Sequence, residues 1–352
     1  MSISPAIALV PAQSSLAQRR LTICCILALG LLASIIFSAA HGPANIPYSD
    51  VARLVLRGLN FPVGQDLPQS DFLIVNVIRL PRILIGALVG AALACSGATI
   101  QGLFRNALAD PGLLGISAGS GLAAVIAITS GAASAGLWVL PGSAFVGAMA
   151  ASLLVYGLSM LAHGRNDPST LLLAGITVSS FLGALLTAVL LSTKDVNAVQ
   201  AALGWLFGGL EGLGWDHFRV MALPILVAIA LTFTFSRDLN LMLTGEAAAQ
   251  SLGVNVPRSR LILLTLVGVM TGIAVSFAGG IGFVGLMVPH AMRLIVGPDH
   301  RILLPTSALG GAVFLTLADT AARLILPVDL QVGILTALLG APFFLLLLWR
   351  KR

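Results

Sequence analysis

Lysine is almost missing from this chain. Two occur in 352 residues, Lys194 and Lys351. Neither follows a glycine, so a G-x-x-x-x-G-K-[ST] phosphate loop cannot be built, and any ATP-driven work needs a separate ATPase chain. Charge of either sign is scarce: 9% of residues are Asp, Glu, Lys or Arg against 58% hydrophobic, and mean hydropathy is +1.02. So few charges cannot cover a soluble domain of this size, which makes the chain an all-α polytopic membrane protein. The three cysteines, Cys24, Cys25 and Cys95, all fall in apolar runs, which excludes a disulfide framework. H-E-x-x-H and paired C-x-x-C spacings are absent too, so neither a bound metal nor a resident cofactor is expected. The net charge of +6 would suit nucleic acid, but the basic residues are scattered between apolar runs. That distribution fits the positive-inside rule and makes the bilayer, not nucleic acid, the partner.

What is present centres on Arg79 to Gly121, where the R-L-P-R run opens an uncharged stretch from Ile83 to Gln101. A hydrocarbon core of about 30 Å needs about 20 apolar helical residues. Ten stretches qualify, near 21–40, 81–102, 112–131, 138–162, 170–192, 217–236, 259–278, 282–297, 302–322 and 331–349. The eighth is short and holds Pro289, His290 and Arg293, which predicts a broken or cavity-lining helix. Residues 1–20 end in Arg19 and Arg20 and read as a cytoplasmic segment before an uncleaved first helix; residues 21–352 read as one ten-helix domain. An even number of crossings puts both ends on one side. Placing that side in the cytoplasm sets Arg19, Arg20, Arg105, Arg165, Arg237, Arg258, Arg260, Arg293, Arg301, Arg350, Lys351 and Arg352 inside. Arg53, Arg57, Arg79, Arg82, Lys194, Arg219 and Arg323 then lie outside, an excess in the expected direction.

Gly90 to Gly97 (GAALACSG) and Gly272 to Gly279 (GIAVSFAG) each fall early in a four-helix block, the second to fifth and seventh to tenth crossings. Two pseudo-symmetric blocks are a transporter pattern, with the path between them; chance likeness of Gly/Ala-rich helices is the competing reading. Residues 41–71 read as a long outer loop without pattern. Residues 194–216, loosened by glycines and carrying Trp205 and Trp215, read either as a mobile gate or as an interfacial loop. In residues 237–260, Thr244 or Gly245 can cap a short helix with Glu246 in its first turn. Gly253 can end that helix in the left-handed conformation, before Pro257.

Two features resemble those of an enzyme or an ion-coupled carrier. Gly115 to Gly119 fits G-x-S-x-G with Ser117 as nucleophile, and His290 could serve it; the motif lies in an apolar helix where glycine and serine are ordinary packing residues. Asp319 is the one clear acid within a span, which an ion-coupled carrier would use, but Arg323 four residues on offers it a simple ion pair.

RLPR, GAALACSGATIQGLFRNALADPGLLGISAGSG, TGEAAAQSLGV, AGGIGFVGLMVPHAMRL, DHRILLP, ADTAARL and the final GAPFFLLLL, taken in order over residues 72–350, resemble the FecCD-type permeases. These are the membrane subunits of type II ABC importers for haem, ferric siderophores and cobalamin. The resemblance implies a homodimer in the inner membrane with both termini cytoplasmic. It further implies two cytoplasmic ATPase subunits that consume ATP, and a periplasmic binding protein that delivers the substrate. Docking arginines fall on Arg79, Arg82 and Arg323. Coupling helices fall within 241–253, through Leu241, Thr244, Gly245, Glu246, Ala248, Gln250, Leu252 and Gly253. The periplasmic gate, within 194–216, falls on Gly204, Trp205, Phe207, Gly208 and Gly209. Ala107 departs from the usual proline of the N-P-L-A-D-P turn. The expected function is import of an iron complex without covalent chemistry by the permease itself. General likeness places haem ahead of a ferric siderophore, with cobalamin third. His217 could approach haem iron, though an interfacial histidine is the simpler reading.

Overall fold

The computed structural model describes residues 13–163, 168–325 and 330–350. Residues 1–12 of the N-terminal segment, and Arg165, Lys351 and Arg352 of the basic set, lie outside the described residues.

The described chain is helical throughout, without a strand. In order come α1 (Gln13–Ala40), α2 (Tyr48–Gly58), α3 (Gln69–Leu73), α4 (Leu80–Leu103), α5 (Ile116–Thr129), α6 (Val139–His163), α7 (Pro168–Ser192) and α8 (Val196–Leu206). Then follow α9 (Trp215–Thr234), α10 (Ser236–Met242), α11 (Glu246–Ser251), α12 (Val256–Ala278), α13 (Val284–Val296), α14 (His300–Ile325) and α15 (Val332–Arg350). Among the described residues seven helices are long and apolar enough to cross a membrane, and three shorter apolar ones lie at Ile116–Thr129, Val284–Val296 and Val332–Leu346. These ten fall on the ten predicted crossings. Because the crossings alternate, α1 begins and α15 ends at the end of the bundle that also carries α10 and α11. The opposite end carries Arg79, Arg82 and Arg323 and is called the arginine end below.

Three boundaries differ from the sequence expectation. The second crossing starts early, as helix runs unbroken from Gln69 to Leu103 through a π-helical turn at Ile74–Arg79. Pro81 has no N–H and its ring would press on the carbonyl four residues back; the wider turn absorbs both faults. Residues 41–71 are not patternless, since α2 lies there with Val51 and Leu54 buried against Ile46, Val75 and Ile83. The third crossing is shorter than expected, and the eighth is short as its composition predicts. At 1.5 Å per residue, the 14 residues of α5 and 13 of α13 reach only about 20 Å. A 3-10 turn at Pro111–Leu114 extends α5, and the irregular segment 279–283 precedes α13. Such backbone is tolerated at membrane depth because it is enclosed by protein.

The duplication expected from the glycine pattern has a structural counterpart. Each block opens with a long helix and then a short one, α4 and α5, then α12 and α13, followed by two more helices, α6 and α7, then α14 and α15. Both short helices are entered from a left-handed residue, Gly115 (φ 76°) and Phe283 (φ 65°). Counted from the start of the first block, five single crossings (α4, α5, α6, α7 and α9) precede α12, so the second block runs opposite to the first.

The core is made by close backbone approach. On α4, which is buried on nearly every side, a Cβ at Gly97 would stand 1.7 Å from the Gly285 carbonyl oxygen. Glycine at such points lets helices gain dispersion contacts that lipid does not provide. The same packing disposes of the hydrolase reading. Ser117 lies in the first turn of α5 with no strand before it, and neighbouring Gly119 faces the Gly147 backbone. Between α4 and α5, where Ala107 stands in place of the proline, the turn is held by Asn106, whose Oδ1 accepts from the Leu108 N–H at 2.9 Å. Asp110 then accepts from Gly112 N–H at 2.7 Å, and burial pushes its carboxyl up against the pull of that bond.

Candidate functional site

Each of the three arginines at the arginine end turns inward. Arg79 is 4% exposed. Its Nη1 donates to the carbonyls of Ala39 (2.7 Å) and Ala40 (3.2 Å), and its Nη2 to that of Ala44. The first two are carbonyls left open by the end of α1, so Arg79 closes that helix. Arg82 reaches from α4 to Asp319 on α14, with Nε 3.1 Å from both carboxylate oxygens and Nη2 2.8 Å from Oδ1. The same Nη2 lies 3.4 Å from Oε1 of Glu211, in the loop before α9. Arg323 donates from Nε to Asp319 Oδ2 (3.2 Å) and from Nη2 to Ser38 Oγ on α1 (2.8 Å). The ion pair expected between Asp319 and Arg323 is therefore present, with Arg82 added from 237 positions away. A carboxylate buried this deeply is stable only because several charge-assisted bonds offset its lost hydration.

The predicted gate residues form a second centre, beside the first. Helix α7 ends, and α9 begins, at the arginine end, so residues 193–214 enter the bundle and return. At 11 residues α8 is about half a crossing long. Beyond it Gly208 takes φ 70°, and a Cβ there would sit 2.6 Å from the Gly280 carbonyl oxygen. Gly209 N–H donates to Ala278 O (2.9 Å), and Gly333 N–H donates to Gly208 O (3.1 Å). The Trp205 carbonyl faces Gly279, while Gly204 lies near the Gln331 side chain. Phe207 is exposed. The tip of α8, the end of α12 and the start of α15 thus meet backbone to backbone. Contacts of that kind can open and close without repacking large side chains. The other half of the interfacial reading is also visible, since Trp215 Nε1 donates to the Asn76 carbonyl at 2.7 Å.

His217 is 7% exposed and accepts the Gly214 N–H at Nδ1 (3.1 Å), capping α9. Its ring packs 5.6 Å from Trp138 and 5.9 Å from Phe277. The structure gives it a packing and capping role.

At the other end, the stretch from Leu241 to Gly253 holds the end of α10 and all of α11. Gly245 (φ 116°) starts α11 and Gly253 (φ 87°) follows it in the left-handed conformation. Thr244 donates to the Leu241 carbonyl (2.8 Å). Glu246, in the first turn, pairs with Arg260 of α12. Thr244, Ala248, Gln250, Leu252 and Gly253 present an exposed surface, with Leu252 57% exposed. Asn240 anchors α10 from below. It donates to Asp299 Oδ1 (2.7 Å) and accepts from the His300 N–H (2.8 Å), with His300 Nδ1 2.9 Å from the same oxygen.

Glu211, Ser38 and Asn240 were missed by sequence reasoning. Their partners lie far away in the chain. Asp299 and His300 did leave a signal in the D-H-R-I-L-L-P run, without any hint of what they hold.

Residues 30–350 match the FecCD transport family. The chain belongs to that family. Among its relatives is the cobalamin import system permease BtuC of Halobacterium salinarum, 42% identical over 349 residues covering 90% of this chain and 93% of that one. The hemin transport system permease HmuU of Yersinia pestis is 44% identical over 279 residues, 78% and 83% of the two chains. A solved structure described as an inward-facing, metal-chelate type ABC transporter superposes with a TM-score of 0.81. It shares 29% identity and covers 94% of this chain and 99% of that one. This FecCD chain is accordingly a multi-pass membrane permease of the type II ABC importer class.

Proposed function

We propose that this permease moves an iron complex, haem first among the candidates, from periplasm to cytoplasm, working as a homodimer in a bacterial inner membrane. Two copies of a separate ATPase would seat on α10 and α11, with both termini on that cytoplasmic side. A periplasmic binding protein would dock at the arginine end, through Arg82 and, where they reach its surface, Arg79 and Arg323. The observation that carries this reading is the largely exposed stretch from Leu243 to Gly253, built around α11, in a chain without a phosphate loop. Its α10 is tied through Asn240 to the start of α14, which bears Asp319 and Arg323 at its far end. A helix 26 residues long, about 39 Å, is a stiff lever between an ATPase contact and the outer charge cluster. Substrate passage then follows from population shift, because a loaded binding protein and an ATP-closed ATPase each favour one permease conformation.

An ion-coupled carrier fits less well, since Asp319 already serves two guanidiniums. Cobalamin is the second substrate reading, supported by the similarity to a cobalamin permease over nine-tenths of the chain. Ferric siderophores complete the set. ATP hydrolysis by the reconstituted complex, stimulated by binding protein with haem, a ferric siderophore or cobalamin in parallel, decides among them. Haem is expected to stimulate most; stimulation by cobalamin alone would replace haem as the cargo.

A further inference from the structure

We propose that Glu211 is a positioning residue that latches the gate loop to Arg82. An acidic side chain of the docking binding protein opens this latch by taking Glu211's place on the guanidinium. The inference rests on the importer reading above and adds how docking reaches the gate. Arg82 Nη2 is shared between two carboxylates, 2.8 Å from Asp319 and 3.4 Å from Glu211. Asp319 is 2% exposed and also held by Arg323, so withdrawing it would strand buried charge. Glu211 is 41% exposed and at the longer distance, which makes it the exchangeable partner.

Its place in the chain gives the exchange a consequence. Glu211 follows Gly209 by two residues, and its carboxylate folds back over that glycine, where a Cβ would sit 2.2 Å from Oε2. The Gly209 N–H bond to Ala278 O and the Gly333 N–H bond to Gly208 O close the junction of α8, α12 and α15. Releasing Glu211 therefore frees the segment that carries those bonds. Charge balance points the same way. Arg82 pairs with Asp319 and Glu211 and Arg323 pairs with Asp319, while Arg79 is held by backbone carbonyls. Lifting Glu211 away raises the positive charge offered to an incoming carboxylate, which the planar fork of arginine accepts in a defined orientation.

The test uses the complete complex in lipid discs, permease with its ATPase, and titrates binding protein with and without haem. Glu211→Gln keeps the side chain's shape and removes its charge, so the competitor is lost. Docking is expected to tighten about threefold at low salt, and ATP hydrolysis without binding protein to rise. Glu211→Asp retains the charge and is expected to behave as wild type in both. A residue that merely props the loop would not tighten docking when neutralised. Wild-type or weaker affinity in Glu211→Gln, in a complex whose ATP-driven uptake is intact, overturns the latch alone. Wild-type complex without ATP-driven uptake overturns the importer reading beneath it.

Discussion

At the arginine end one buried carboxylate serves two guanidiniums from different helices, and a second acid shares one of them. At the α10–α11 end the ties use different partners: Arg260 pairs with Glu246, Arg293 donates to Gln101, and Asn240 holds Asp299 and His300. The first arrangement makes α1, α4, α14 and the gate loop answer to a single point, so a change in one partner is felt by all. The second lets α11 adjust without disturbing the bundle.

That contrast can be broken most severely at Asp319. Asp319→Ala leaves Arg82 and Arg323 buried without their carboxylate and should cost about 3–5 kcal/mol, read as loss of folded, monodisperse protein and a lower melting temperature. Asp319→Asn should cost less. A melt unchanged by Asp319→Ala would mean that the cluster does not hold the helices together. Next comes Arg82→Gln, which leaves Asp319 with Arg323. Binding-protein affinity should fall, most visibly at low salt, because a steering charge is lost. Unchanged affinity would remove Arg82 from docking. Arg260→Ala should be milder for folding, about 1 kcal/mol, since Glu246 remains partly in water. It should instead lower uptake per ATP hydrolysed, and normal coupling would count against the α11 contact. Smallest of all is Arg53→Ala. Arg53 pairs with Asp66 on an exposed surface and holds that carboxyl below its ordinary range, chiefly by their hydrogen bond. Any stability it adds is present above the ordinary carboxylate range and lost on acidification, and a neutral-pH melt should not register its removal.

Much of the fold was legible because its signals are local. Apolar runs gave ten crossings, Pro289 and His290 flagged a short eighth, and Glu246 with Gly253 marked both ends of α11. The docking and gate roles proposed for particular residues come only from likeness to a family. What stayed hidden depends on contacts between distant residues. Nothing beside Arg82 announces Asp319, and nothing in the glycines after Trp205 reveals the Ala278 and Gly333 backbone they meet. The π-helical turn was hidden for a different reason, as R-L-P-R reads as a helix start when proline is scored alone. The amphipathic α2 escaped because its prolines and glycine neighbours drew the eye to loop.

Uptake by sealed vesicles tests the central claim most directly. Permease reconstituted with its ATPase subunit and binding protein should accumulate haem only when ATP is present on the α10–α11 side, whatever the ion gradient. Accumulation by the permease alone, driven by a proton or sodium gradient and indifferent to ATP, would contradict it.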